Sequence, residues 1–247
     1  MALPQNHLIE LLPAADRRRL LAQCETVQLS VGQILCERGQ TLQHAYFPVD
    51  GFVSMLTQID QHPSLEVGMV GREGLFGGWL LLGVATSPLQ GMVQGSGASW
   101  RIGAGALQAE LTHSQPLRQL LQRYLYVLMA QTTRSAACLR FHMIAPRLAR
   151  WLLMTQDRAH ASEFKVTHEL LAYMLGVRRV GVTVAASQLQ RSGLIQYHRG
   201  QLSVLDRAGL EAVACSCYHR QRLAYQAQID AEGPPAAAAH QVRPSTA

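Results

Sequence analysis

Short runs of β-forming residues alternate with turn residues from about Val27 to Ile102. Many short strands with regularly spaced turn signals predict an antiparallel sandwich or barrel. The predicted strands are Thr26–Leu29, Gln33–Cys36, Ala45–Phe47, Gly51–Leu56, Leu65–Val70, Gln90–Gln94 and Ala98–Ile102. A short amphipathic helix, with leucines on its apolar face, is predicted before them over residues 4–24.

The pattern becomes helical over residues 113–142. One seam of this helix has alternating spacings of four and three residues, as in a coiled coil. Two interpretations fit it: a helix that packs on its own β domain, and a helix that forms a dimer. Two apolar heptads are too few to choose between them. The seam consists of Leu117, Leu121, Tyr124 and Leu128, and it becomes polar at Gln131 and Ser135.

A helix-turn-helix is predicted within residues 163–207. Thr167 is a good N-cap for a helix over His168–Leu175, and Gly176 can end that helix in a left-handed conformation. A second helix runs from about Arg179 to Ser192. Its inward positions follow the spacing i, i+3, i+4, i+7, and they are Val182, Ala185, Ala186 and Leu189. The second helix of such a unit docks in the DNA major groove.

Two short strands around Arg199-Gly200 follow the second helix and predict a wing. Arginines at the start of the second helix suit both phosphate contact and reading of guanine. The preceding helix is predicted to open at Pro146, with a loop over residues 158–164. The candidate DNA-contacting residues are Thr167, His168, Arg178, Arg179, Val180, Thr183, Val184, Ser187 and Arg199.

The charge distribution supports a polyanionic partner. The chain of 247 residues has a net charge of +6, and residues 143–230 contain eleven lysines and arginines against six acids. Hydrophobic residues make up 48% and charged residues 15%, which excludes a disordered chain. No nucleophile–base pair, P-loop or metal motif appears, so no enzyme, no catalytic residue and no cofactor are predicted.

The chain start has no secretory signal pattern, and the most apolar stretch, Leu75–Ala85, is about half the length of a membrane helix. A cytoplasmic protein with no membrane partner is therefore expected. The five cysteines look scattered, and only Cys215 and Cys217 are close in sequence. We expect ordinary reduced thiols and no metal site. His142 is expected to be an ordinary surface or interface residue.

The order of these elements resembles the Crp/Fnr family of bacterial transcription regulators over nearly the whole chain, most specifically at residues 170–195. The resemblance implies an α+β fold with an antiparallel, cyclic-nucleotide-binding-like β-roll, a dimerisation helix and a winged helix-turn-helix. It implies domains at 1–112, 113–142 and 143–230, with a disordered tail at 231–247. It also implies a homodimer on a pseudo-palindromic DNA site and RNA polymerase as a partner.

The chain departs from the family in the segment that binds cyclic AMP in the best-known members. By alignment, Gly78 replaces the ribose-binding glutamate, and Leu89 and Gln90 replace the phosphate-binding Arg-Ser pair. Leucine offers a buried phosphate no charge partner, which argues against cyclic AMP. Arg72 is either an anion ligand or an exposed turn charge. The candidate effector pocket consists of Arg72, Glu73, Gly77, Gly78, Leu89, Gln90, Leu128 and Thr132.

The recognition helix departs as well. Arg179 matches the first base-reading arginine of the family, whereas Val180 and Val184 replace a glutamate and a second arginine. Valine can only contact a thymine methyl group, so the DNA target is expected to differ. The alternative function is a ligand- or redox-responsive sensor. Its β-roll would bind another small effector, such as a cyclic dinucleotide, and its helical domain would act through protein contacts.

Overall fold

The computed structural model describes residues 6–230. Its first elements are two short helices, α1 (His7–Glu10) and α2 (Ala14–Ala22), rather than the single helix predicted over 4–24. Pro13 lies immediately before α2, and because proline has no backbone N–H it is suited to the start of a helix rather than its interior. The predicted tail at 231–247 lies outside the described residues.

All seven strands predicted from the sequence are present, with ends displaced by at most two residues. They form two antiparallel sheets, in the orders β1-β7-β3 and β2-β6-β4-β5. The sheets enclose a common core that includes Phe47, Val53, Val93 and Ile102. The strands are β1 (Cys24–Leu29), β2 (Ile34–Cys36), β3 (His44–Pro48), β4 (Phe52–Thr57), β5 (Leu65–Val70), β6 (Gln90–Gly95) and β7 (Gly97–Gly103), with a 3₁₀ helix at Gly78–Leu82.

Two helices follow the β-roll: α3 (Ala104–His113), which the sequence pattern did not reveal, and the long α4 (Gln115–Phe141). The Ser114 hydroxyl caps α4 by accepting a hydrogen bond from the backbone N–H of Leu117. The predicted dimer seam faces the chain's own β-roll. Its assignment to a dimer interface is therefore corrected, because its members are buried within one chain: Leu117, Leu121, Tyr124, Gln131 and Ser135 are buried, and Leu128 is half-buried.

The C-terminal half is a winged helical unit followed by two helices that were not predicted. Its elements are α5 (Ile144–Ala159), β8 (Glu163–Lys165), α6 (His168–Leu175), α7 (Arg179–Arg191), β9 (Ile195–His198), β10 (Gln201–Val204), α8 (Arg207–Val213), α9 (Cys217–Tyr225) and a π-helical turn at Gln226–Asp230. Residues 158–164, predicted as a loop, contain the end of α5 and the start of β8. Pro146 lies in the first turn of α5 rather than opening it.

The winged unit packs directly on the β-roll. Phe52, Leu56 and Met69 of β4 and β5 belong to the same hydrophobic core as α5, α6 and α7. Polar contacts border this core: the Trp151 indole donates to Glu66 at 3.1 Å, and Arg158 pairs with Glu73 at 2.6 Å. The two halves therefore share buried surface as well as a connecting helix.

Within residues 6–230, no single helix is long and apolar enough to cross a membrane. The pair α6 and α7 reaches that length and composition only jointly, across a bend of 106°.

The Glu66 carboxylate gives a pH-dependent prediction. Desolvation raises its pKa to about 7, against the opposing hydrogen bond from Ser54 and the charges of Arg150 and Arg158. Because the folded-state pKa lies above the ordinary glutamate value of 4.5, its stabilising contribution is complete below about pH 4.5 and is lost as the pH rises through 7. Urea unfolding should show Glu66→Gln gaining on the order of 1–3 kcal/mol over wild type between pH 5 and 8.

The matched control for this prediction is Glu163→Gln, which removes an exposed carboxylate from β8. Its stability should follow the wild-type pH profile. Parallel profiles for wild type and Glu66→Gln would contradict the raised pKa of Glu66 at its contact with Trp151.

Candidate nucleic-acid interface

Local backbone chemistry fixes the angle between α6 and α7. The Thr167 hydroxyl accepts a hydrogen bond from the N–H of Leu170 at 3.1 Å and so caps the start of α6. Gly176 ends α6 with φ at +60°, in the left-handed region that glycine tolerates best. Arg178 then occupies the N-cap position of α7. The predicted helix, turn and helix are all present.

Helix α7 has one buried and one exposed face. Its buried positions are those predicted from the spacing: Val182, Ala185, Ala186 and Leu189. Its exposed positions are Arg179, Val180, Thr183, Val184 and Ser187, joined by Arg178 at the N-cap. Val180 is 74% exposed and Val184 is 61% exposed. Two aliphatic side chains are therefore exposed next to each other on one helix face, as at a surface that contacts a partner.

A three-stranded antiparallel sheet in the order β8-β10-β9 completes the unit. His198 pairs with Gln201, so Arg199 and Gly200 form a two-residue loop. Both have positive φ, at +49° and +82°, as a type I′ hairpin turn requires. Arg199 is exposed at the tip of this wing. A third strand, β8, pairs with β10 of this hairpin, and the sequence pattern did not predict it.

Two of the predicted contact residues have partners within the chain. The His168 ring stacks on Tyr197 with centroids 4.5 Å apart, and its Nδ1 lies 3.0 Å from the Thr183 hydroxyl. Desolvation, and then the charge of Arg179, lowers the pKa of His168. His168 therefore connects α6 with α7 and the wing. Because its pKa is lowered, its main role is to position these neighbours rather than to supply a positive charge.

Residues 146–213 match the family model of the Crp-like helix-turn-helix domain. The whole fold is similar to a Crp/Fnr family transcriptional regulator from Eubacterium rectale, with a TM-score of 0.66, 18% identity and coverage of 85% of this chain and 98% of that one. The chain carries a Crp-like helix-turn-helix domain on a Crp/Fnr fold. The resemblance predicted from residues 170–195 is thereby confirmed, as is the α+β fold.

Other solved structures share the Crp/Fnr fold. A Crp/Fnr family regulator from Thermus thermophilus matches with a TM-score of 0.61 and 24% identity, over 78% of this chain and 99% of that one. The regulator CLP from Xanthomonas campestris, described as responsive to c-di-GMP, matches with a TM-score of 0.61 and 20% identity, over 78% and 100%. The comparison with curated protein sequences gives no match.

The part of this Crp/Fnr fold that aligns with the cyclic-nucleotide cassette is filled by apolar groups. A side chain at Gly78 would meet Leu125 and Leu128 of α4 at 3.1 and 3.3 Å, and one at Gly91 would overlap the ring of Phe76. Gln90 donates to Glu37 at 2.7 Å instead of pointing at a ligand. Apolar atoms therefore lie directly against Gly78 and Gly91, and the Gln90 amide is already paired within the chain.

The eight candidate effector-pocket residues lie in two places. Arg72 and Glu73 border a cavity of about 360 Å³ beside α4, together with Tyr124, Arg158 and Tyr225. Arg72 pairs with Glu10 at 2.9 Å, which makes it part of an ion pair at the cavity edge. The other six lie apart from the cavity, and they are Gly77, Gly78, Leu89, Gln90, Leu128 and Thr132.

Four side chains that were expected to be ordinary lie together at the C-terminal end of α4. They are Cys138, His142, Cys215 and Cys217, whose ligand atoms are all within 4.8 Å of one another. The expectation of scattered thiols is corrected for these three cysteines, and His142 is part of a cluster. The one local signal was the spacing of Cys138 and His142, which places both on one face of a helix.

Gly176 provides a test of the helix-turn-helix geometry. An alanine there must adopt a left-handed conformation and also meets Leu65 Cδ1 at 2.6 Å. We expect Gly176→Ala to lower the free energy of unfolding by about 1–2 kcal/mol or more. Gly193→Ala is the control, because φ there is +70° but its Cβ meets nothing within 4 Å.

Urea unfolding should therefore rank Gly176→Ala below Gly193→Ala. Adding Leu65→Ala should remove most of that difference, since it removes the contacting methyl group. Equal losses for the two glycine variants would mean that the turn does not press on β5.

Proposed function

We propose that this protein is a sequence-specific DNA-binding transcription regulator of the Crp/Fnr type. It acts in the cytoplasm as a homodimer on a pseudo-palindromic site and contacts RNA polymerase. It has no enzymatic activity. The nine predicted contact residues form its DNA-binding set, with His168 and Thr167 supporting the geometry and the others facing DNA.

The exposed face of α7 carries this proposal. Arg178 and Arg179 lie at its N-terminal end, where recognition helices reach base edges. Val180 and Val184 lie on the same open face, where they can pack against thymine methyl groups. Arg199 at the wing tip supplies a second cationic point for the phosphate backbone. Arginine and valine side by side on one exposed helix face suit contact with both the phosphates and the base edges of DNA.

The homodimer uses the face of α4 that points away from the β-roll. Tyr126 and Met129 are exposed there, at 57% and 70%. Thr133 and Ala136 continue the same stripe at spacings of four and three, and they are also exposed. This spacing is that of a coiled-coil seam, so a second α4 is the partner that fits. A two-fold axis through this seam would present two copies of α7 to DNA.

A sensor function is the second candidate, and the cavity beside α4 favours it. Its volume of about 360 Å³ suits a small effector. Its walls come from α4, α5 and α9 as well as the β-roll, so a bound molecule would contact both halves of the chain. The Xanthomonas regulator of the same fold is described as responsive to c-di-GMP, and a cyclic dinucleotide is one effector class to examine.

The test of DNA binding is a fluorescence-anisotropy titration of labelled promoter duplex at two salt concentrations. Affinity should fall at least roughly 100-fold between about 50 and 200 mM salt, because phosphate contacts release counterions. Arg179→Ala should weaken specific binding by about 1–3 kcal/mol and relax preference at one base pair. Affinity that does not fall with salt would reject the proposal.

The matched control is Arg118→Ala, which removes the same charge from an exposed position at the start of α4. Its affinity and base preference should equal those of wild type. A loss equal to that of Arg179→Ala would attribute the effect to net charge rather than to the face of α7.

Cyclic AMP should leave the DNA affinity unchanged, because the cassette lacks both phosphate partners and the space for them. The same anisotropy assay, with and without the nucleotide, measures this, and calorimetric titration measures binding directly. Tight calorimetric binding of cyclic AMP would contradict the assignment of Gly78, Leu89 and Gln90. Cyclic di-GMP in a parallel arm tests the sensor alternative.

A further inference from the structure

Four ligand-type side chains converge from two distant segments of the chain. Cys138 lies in the last turn of α4 and His142 directly follows that helix, whereas Cys215 lies between α8 and α9 and Cys217 is the first residue of α9. The sulfur atoms of Cys138 and Cys215 are 3.6 Å apart. The Cys217 sulfur is 3.6 Å from Nδ1 of His142. Cys138 and Cys215 are 77 residues apart in sequence.

The two separations of 3.6 Å are those of donors around one metal ion, and all four ligand atoms lie within 4.8 Å of one another. Zinc binds thiolate sulfur at about 2.3 Å and imidazole nitrogen at about 2.0–2.1 Å, so tetrahedral donors lie about 3.5–3.8 Å apart. A disulfide would join only two of the four groups and would leave Cys217 and His142 without a role. We propose that Cys138, His142, Cys215 and Cys217 form a Cys₃His zinc site.

The surroundings suit a charged metal–thiolate group. The three cysteines are buried and form a small cluster of their own, separate from the two larger cores. Three thiolates and one imidazole on Zn²⁺ give a net charge of −1. Arg147 and Arg150 lie close enough for electrostatic interaction with Cys138. Two arginines at one edge can therefore compensate the charge, as buried charges require.

The donor set selects the kind of ion. Thiolate and imidazole ligands in a tetrahedron favour zinc over the hard cations magnesium and calcium, which take oxygen ligands. An iron–sulfur cluster distributes its protein ligands over more than one iron, whereas these four donors meet around one point. Because protein side chains fill all four positions, the site is structural and has no open position for catalysis.

The location gives the metal a mechanical role. The Crp-like domain spans residues 146–213, so the four ligands flank the points where the chain enters and leaves it. The backbone of Cys215 also donates to the carbonyl of Pro146 at 3.2 Å, which closes the same loop. A bound zinc would tie the end of α4 to the α8–α9 connection across the break at Met143. It would thereby hold the winged unit in one orientation on α4.

Metal binding by the full-length reduced chain tests this proposal without any DNA. Zinc competition against a chromophoric chelator should show one tight site per chain. Cobalt(II) should bind with the visible absorption of a tetrahedral ion and a thiolate charge-transfer band. We expect Cys138→Ser, Cys215→Ser and His142→Asn each to lower the affinity for zinc at least about 100-fold. Loss of a hydrogen-bond partner outside the ligand set would lower it by less.

The matched controls are Cys24→Ser and Cys36→Ser, which remove thiols of the β-roll. Both should bind zinc and cobalt as wild type does. Circular dichroism confirms that each variant is folded, and the half-buried His142→Asn keeps the test decisive if the serine variants at buried positions do not fold. Hydrogen exchange at residues 142–146 should slow on zinc addition in wild type and in both control variants, and not in the ligand variants.

Three outcomes would overturn the proposal. The first is no stoichiometric zinc binding by the folded, reduced wild type. The second is zinc binding that survives His142→Asn and Cys215→Ser unchanged but is lost in Cys24→Ser. The third is a Cys138–Cys215 disulfide in the protein isolated without reductant, combined with no metal uptake after reduction.

Discussion

The buried face of α5 is the contact on which the rest of the structure depends. Leu148, Leu152 and Leu153 are fully buried, and the core that they join includes α6 and α7 on one side and β4 and β5 on the other. Burying each leucine is worth about 1.5–3 kcal/mol. The same helix therefore positions the exposed face of α7 and seats the winged unit on the β-roll. The ion pair between Arg158 and Glu73 and the bond from Trp151 to Glu66 fix the register of that contact.

Local signals were sufficient for elements whose form depends on neighbouring residues. Thr167, Gly176 and the spacing of Val182 to Leu189 specify the helix-turn-helix, since caps and faces are properties of a short segment. The partner of a helix face is a tertiary property, so the seam from Leu117 to Ser135 could not show whether it meets its own β-roll or a second chain. Contacts between residues far apart in sequence were invisible for the same reason. Cys138 and Cys215 are the clearest example, because neither residue carries a signal that points to the other.

The chain has the Crp/Fnr fold, and its residues differ from the pattern expected of that family at two places. On α7, Arg179 matches the first base-reading arginine of the family, whereas the valines Val180 and Val184 replace its charged residues. In the β-roll, Phe76 and the leucines of α4 occupy the region where the family's cassette would hold a nucleotide. The cavity lies beside the middle of α4, whereas the cysteine–histidine cluster lies at the C-terminal end of that helix. The cavity is lined by residues of both the β-roll and α5.

Selection of bound duplexes from a random DNA pool, followed by sequencing, tests the central claim most directly. A Crp/Fnr-type dimer that reads DNA through α7 should enrich a two-fold symmetric motif. Its half-sites should be about one helical turn, roughly 34–36 Å, apart. The Arg179→Ala chain should enrich a motif degraded at one symmetric pair of positions. A pool that shows no enriched motif, or one that Arg179→Ala leaves intact, would contradict the account.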